Sequence, residues 1–312
     1  MIREPLSTRE RYYRTYRKIR FLLKRGSLFS TPDLSPFDYK DKSIIPKGAF
    51  TIITINSVFL FLLAYLLMFI ITQFATAISA SAFNIPAIIY YNEIDFLQRG
   101  QDWTSDQVIA VFSTGPLISL LIGVLLVALY IHVADDPGLL RLLVIWMILF
   151  ASINFFGELL VGAILNQGFG YVIMYMFIMD TGKIILTLFG FVALFSLGLL
   201  FSRLFMFSGN IYFNDLHRYN RRKFIYCQFL FPYLIGTAVI FLIKLPVINP
   251  FELSLLGSMI LILIPISIKG FTVQDLYFDE EPRKIRISVY FVLATILLLI
   301  AFRIVFGIGI KI

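Results

Sequence analysis

The chain has 312 residues, of which 59% are hydrophobic and only 15% charged, with a net charge of +8. Soluble domains carry about 25% charged residues, and a water-solvated fold of this composition could not cover its apolar surface with a polar coat. A single cysteine, Cys227, excludes an internal disulfide and a cysteine-based metal cluster, and it reads as a small apolar residue.

Residues 1–48 hold 12 Lys+Arg and 5 Asp+Glu, so nearly all the excess charge precedes the first apolar run. Ser7 and Glu10 fit a capping box that opens a helix. Beyond it Tyr12, Tyr16, Ile19 and Leu23 recur at helical spacing, with Arg11, Arg14, Arg17, Lys18, Lys24 and Arg25 on the rest of the surface. A basic helix with an apolar stripe suits anionic lipid headgroups first, a protein partner second and nucleic acid least. The plainer alternative is that its charge only fixes topology. Residues 26–48 read as a linker, which divides the chain into 1–48 and a membrane region 49–312. The first apolar stretch, near residue 49, comes too late for a cleaved leader and is read as a signal-anchor helix.

About 20 apolar residues span the hydrocarbon core as a helix, and helices are the default because lipid offers no partner to a free backbone amide. The sequence predicts an all-α polytopic bundle with about seven crossings, near 50–78, 108–132, 140–165, 182–203, 227–247, 253–269 and 287–308. The fifth and sixth runs contain Pro232, Pro246 and Pro265 and could instead form a broken or re-entrant pair. With the N-terminus inside, inside segments carry 22 Lys and Arg and outside segments only Arg99 and Lys311. This asymmetry puts the N-terminus in the cytoplasm and the C-terminus outside.

Between the first two crossings, Asn84-Ile85-Pro86 breaks the helix. Tyr90, Tyr91, Phe96 and Trp103 then mix with Asn92, Glu93, Asp95 and Gln98, as in a segment lying among headgroups or in a plain loop. Asp135-Asp136-Pro137-Gly138 reads as a turn.

Intramembrane charges are costly, so each needs an explanation. Asn154, Glu158 and Gly162 are four apart and would share one helix face. Reflection about the glycine-rich link at 168–169 sets Asn154 level with Lys183 and Glu158 level with Met179 and Asp180, although the cleanest apolar run, Ile184 to Phe201, would put Asp180 and Lys183 at the outer interface and leave 171–179 outside the bilayer core or in a protein-lined cavity. Asn154, Glu158, Asp180 and Lys183 could thus form one cluster, either a structural ion-pair network or a proton, ion or substrate site. Lys244 and Arg303, near outer helix ends, are expected to snorkel to the interface.

His132 and His217 lack metal-ligand partners at useful spacing, and no Walker loop, nucleophile elbow or Gly-x-Gly-x-x-Gly occurs. No cofactor or metal is expected. Ser113-Thr114-Gly115-Pro116-Leu117, read as opening a helix Ile118–Tyr130, resembles the Gly-Pro-Leu helix of site-2 protease-like membrane proteins. The stretch Asn154–Gly162 with Gly168-Phe169-Gly170-Tyr171 is similar to poorly characterised bacterial relatives of that family. The family's activity needs His-Glu-x-x-His, which this sequence lacks, so the resemblance implies a proteolytically silent chain. The expectation is a non-enzymatic membrane protein, an accessory or scaffold subunit engaging a membrane-protein partner. A transporter or channel component is the alternative, with a bacterial cytoplasmic membrane as the compartment.

Overall fold

The computed structural model describes residues 48–97, 102–133, 138–216, 218–272, 276–277 and 285–312. The basic N-terminal residues, Gln98 and Arg99, the Asp135–Pro137 turn and His217 lie outside the described residues.

Seven helical stretches are long and apolar enough to cross a membrane. The first is α1 (Ala49–Ala82). It ends where Asn84 turns into the left-handed region at φ 58°. The second is α2 (Ser105–Val133). The third joins α3 (Leu139–Ser152) and α4 (Glu158–Leu165) through a π-helical turn, Ile153–Gly157. A short α5 (Phe169–Tyr175) follows. Next comes the fourth span, α6 (Asp180–Phe207). The fifth joins α7 (Arg218–Ile225) and α8 (Phe231–Lys244) through a second π-turn, Tyr226–Leu230. The sixth runs through α9 (Pro250–Ser258) and α10 (Ile260–Thr272), and the seventh is α11 (Val289–Ile308). The fifth and sixth stretches are each long and apolar enough to cross, and the sixth is interrupted at Met259 between α9 and α10. Pro232 lies inside the continuous fifth helix, directly after the π-turn, and the altered bonding of that turn accommodates its missing N–H. The Ser113–Leu117 stretch does not open a helix. It lies inside α2, which begins at Ser105 and carries Pro116 internally.

Short strands test the number of crossings. β1 (Ala87–Ile89) follows the first span and pairs antiparallel with β2 (Ile94–Phe96) and with β5 (Ile310–Lys311), after the seventh span. β3 (Asp215–Leu216), after the fourth span, pairs with β4 (Leu276–Tyr277), after the sixth. Each pairing joins segments that an odd-numbered set of seven crossings places on the same side. The segment predicted to lie among headgroups is therefore in part a β-hairpin, locked to the C-terminal strand through Ala87 N–H to Ile312 O at 3.1 Å and Ile312 N–H to Ala87 O at 2.9 Å.

The core forms around α1 and α3. The Phe61 ring meets Trp146 edge-on at 5.0 Å and Phe150 at 5.0 Å, and Tyr233 from α8 closes the cluster at 6.4 Å. The indole of Trp146 donates to Ser57 Oγ at 3.1 Å, and Ser57 donates on to the Gln228 carbonyl at 2.7 Å. The second π-turn thus supplies a carbonyl to a polar chain inside an apolar core. By contrast α2, α6 and α11 leave broad apolar faces uncovered, Leu125, Leu188 and Leu297 among them. In a bundle of this kind such faces contact the lipid bilayer.

Glycine marks the closest crossings. A Cβ on Gly198 of α6 would sit 2.4 Å from the Ile262 carbonyl and 2.5 Å from Pro265 Cγ of α10. One on Gly170 would sit 2.1 Å from the Gly162 carbonyl, so the link between α4 and α5 folds back with backbone against backbone.

At the inner end, Asn56 ties α1 to the start of α11. Its Nδ2 donates to the Arg286 carbonyl at 3.0 Å and to Tyr212 Oη at 3.4 Å, and its Oδ1 accepts from Ser288 N–H at 3.0 Å. Burial pushes the Tyr212 phenol above its ordinary range, and the Asn56 bond only partly opposes this. Asn56→Ala strands these groups away from water and lowers unfolding free energy by about 1–3 kcal/mol. Reversible denaturation in bicelles measures it, and an unchanged midpoint would remove Asn56 as a fastener.

Candidate functional site

Glu158, Asn154, Lys183, Lys244 and Arg303 take different partners from those the sequence suggests. Glu158 opens α4 directly after the π-turn, and its Oε2 accepts the Phe169 N–H at 3.2 Å. Gly168 makes this contact feasible. It has φ +55° and lies so close that an added Cβ would be 3.0 Å from Glu158 Oε2 and 2.7 Å from the Phe251 ring. Asn154 lies within the π-turn and donates to Ser119 Oγ of α2 at 3.4 Å. The extra residue of that turn breaks the four-residue register, so Asn154 and Glu158 serve different neighbours.

Lys183 donates to Asn166 Oδ1 at 3.4 Å. Asp180 opens α6 and is exposed. The structure therefore brings Asp180 and Lys183 to one groove, shared with Leu160 and Ile164 of α4, and gives Asn154 and Glu158 other partners. Positions level across a hairpin need continuous helix on both sides of the link, and residues 176–179 interrupt it. Here α5 ends at Tyr175, Phe177 takes a left-handed conformation at φ 54°, and α6 restarts at Asp180.

Lys244 corrects the snorkelling expectation. It is only 3% exposed. Its Nζ pairs with Glu252 Oε2 at 2.5 Å and lies over the Phe69 ring at 4.3 Å. The hydroxyl of Tyr65 donates to the other carboxylate oxygen, Oε1. The chain builds this site simply. Lys244 is the last residue of α8, and a turn containing Pro246 reverses the chain. Asn249 then caps α9 by accepting the Phe251 N–H at 3.0 Å, leaving Glu252 in the first turn. The cation sits at a helix C-terminus and the anion at a helix N-terminus, so each is favoured by its own helix dipole. The aromatic wall adds cation–π attraction, which strengthens where water is excluded.

Arg303 does not reach freely into the interface either. Its Nη2 donates to the Leu245 carbonyl at 2.9 Å, and the guanidinium stacks over Tyr91 at 4.1 Å. Tyr91 in turn donates its backbone N–H to the Phe306 carbonyl at 3.1 Å, which anchors the hairpin to α11. The outer network is therefore Tyr65, Lys244, Glu252, Arg303 and Tyr91. A signal for it existed in the sequence: a base ending one helix and an acid opening the next, across a proline-bearing turn.

Among the described residues no group of three or more His, Cys, Asp or Glu could hold a metal ion. No family model matches the chain, and no curated protein or solved structure matches it.

Proposed function

We propose that this chain is a non-enzymatic integral membrane subunit that scaffolds a larger assembly, residing in a bacterial cytoplasmic membrane. One observation carries the reading: the charges inside the bundle are committed to internal partners. Lys244 is held by Glu252, Arg303 by a carbonyl and a ring, and Arg141 by the Tyr130 hydroxyl at 2.8 Å. A carrier site must exchange its partners with a substrate, whereas a closed ion pair fixes helix ends against each other. The uncovered faces of α2, α6 and α11 offer surface to lipid and to neighbouring membrane helices. In this reading the basic residues Arg11, Arg14, Arg17, Lys18, Lys24 and Arg25 hold anionic headgroups or an acidic partner at the cytoplasmic face.

The test is purification in mild detergent after crosslinking in intact cells. The scaffold reading expects one reproducible complex of defined mass, dissociated by substitutions on an exposed helix face. A monodisperse monomer under every crosslinking condition would overturn it.

Glu158 supports a second reading, a transporter component. It follows a π-turn, a distortion common at functional sites, and its carboxylate accepts a single backbone N–H among the described residues. If Glu158 carries protons or ions, Glu158→Gln abolishes flux in liposomes while the protein stays folded. The scaffold reading expects Gln to keep the Phe169 bond and to change neither stability nor assembly.

A further inference from the structure

We propose that the groove between α4 and α6 binds one outer-leaflet phospholipid whose headgroup carries a primary ammonium. The geometry begins at Gly190, where the helices are closest: an added Cβ would be 2.7 Å from the Phe156 carbonyl and 3.1 Å from Leu160 N. From that apex α4 continues outward to Leu165, and α6 rises toward its own start at Asp180. The two diverge and leave a groove of about 500 Å³, walled by Leu160 and Ile164 on one side and Leu188 and Phe191 on the other. That volume lies within the roughly 300–1,000 Å³ typical of small-molecule sites.

Its length matches one leaflet. Asp180 and Phe191 are the outermost and innermost α6 residues lining it, and helical rise separates them by about 16 Å. Half of the hydrocarbon core is about 15 Å. An acyl chain lying in the groove would therefore end near the bilayer midplane, with its headgroup level with the groove mouth.

The mouth is charged, and both signs are present. Lys183 is tethered by the 3.4 Å contact to Asn166, which leaves ammonium protons for a phosphate. Asp180 is exposed one turn above, on the same groove, and its carboxylate has no hydrogen-bond or ion-pair partner among the described residues. A phosphate on Lys183 places the headgroup amine near Asp180. A primary ammonium can donate hydrogen bonds to that carboxylate, and a quaternary one cannot. An anionic headgroup would meet Asp180 as a like charge.

The experiment is native mass spectrometry of the full-length, delipidated protein, titrated separately with phosphatidylethanolamine, phosphatidylcholine and phosphatidylglycerol. The expected result is one retained phosphatidylethanolamine per chain, at least about tenfold favoured over the other two. Lys183→Ala weakens all three lipids. Asp180→Asn abolishes the preference for the primary amine and improves phosphatidylglycerol binding. Leu188→Trp, at an exposed groove position, blocks retention with thermal stability unchanged. Equal retention of the three lipids by the native chain would overturn the proposal, and so would undiminished phosphatidylethanolamine binding in both Lys183→Ala and Leu188→Trp.

Discussion

Replacing Lys244 by Met while Glu252 remains lowers the stability of the bundle by about 3–5 kcal/mol. The size follows from where the pair sits. Lys244 is 3% exposed, its ammonium faces the Phe69 ring, and Glu252 depends on it and on Tyr65 for neutralisation and hydrogen bonding. Removing the cation leaves a carboxylate among aromatic rings with little solvent to screen it. The double variant Lys244→Met, Glu252→Gln should recover most of the loss, because a neutral amide still accepts the Tyr65 hydroxyl and no charge is stranded. The two single variants and the double form a cycle that isolates the pair, measured by reversible unfolding in bicelles. A loss below about 1 kcal/mol for the single variant would mean that the pair is solvated, as exposed ion pairs are.

Gly198→Val is expected to separate α6 from α10 and to cost at least the roughly 1–3 kcal/mol typical of overpacking. A Cβ at this position meets the Ile262 carbonyl oxygen at 2.4 Å and the Pro265 ring at 2.5 Å, and neither is a flexible side-chain end that could swing aside. The contrast is Gly307→Ala in α11, where an added Cβ meets nothing within 4 Å and helix propensity favours alanine. Circular dichroism and thermal melts of the two variants should diverge: a sharp loss for Gly198→Val, no loss for Gly307→Ala. Equal melting points would show that the α6–α10 crossing is looser than the backbone distances require.

The helical spans were legible in the sequence because crossing a bilayer imposes a length and a composition. Which spans are central was not. The run of α3 residues from Arg141 to Ser152 is almost wholly buried, whereas α11 presents Val289, Leu297 and Ile308 outward. Both read as apolar on every face, since lipid and protein core are equally apolar and leave no amphipathic stripe to read. The candidate site was legible only in its residue types. Glu158 stood out as an acid inside an apolar run, and its partner proved to be a backbone amide in the following turn. No pattern of side chains encodes that contact. Register was lost at the Ile153–Gly157 π-turn, which adds a residue without any glycine or proline interrupting its first four positions. Lys244 departs from the sequence expectation for a different reason. Its place at a helix end suggested a route to water, whereas the Pro246 turn lays the start of α9 against it and brings Glu252 within reach.

Seven crossings leave the β1 and β5 strands together on the outer face and put the start of α7, which leads into the fifth span, on the other side. Single cysteines at Asp95, Lys311 and Arg222, introduced in a Cys227→Ser background, test this with a membrane-impermeant maleimide. Cysteines at 95 and 311 should label in intact cells, and one at 222 only after permeabilisation. Labelling of 95 and 311 from opposite sides would contradict it.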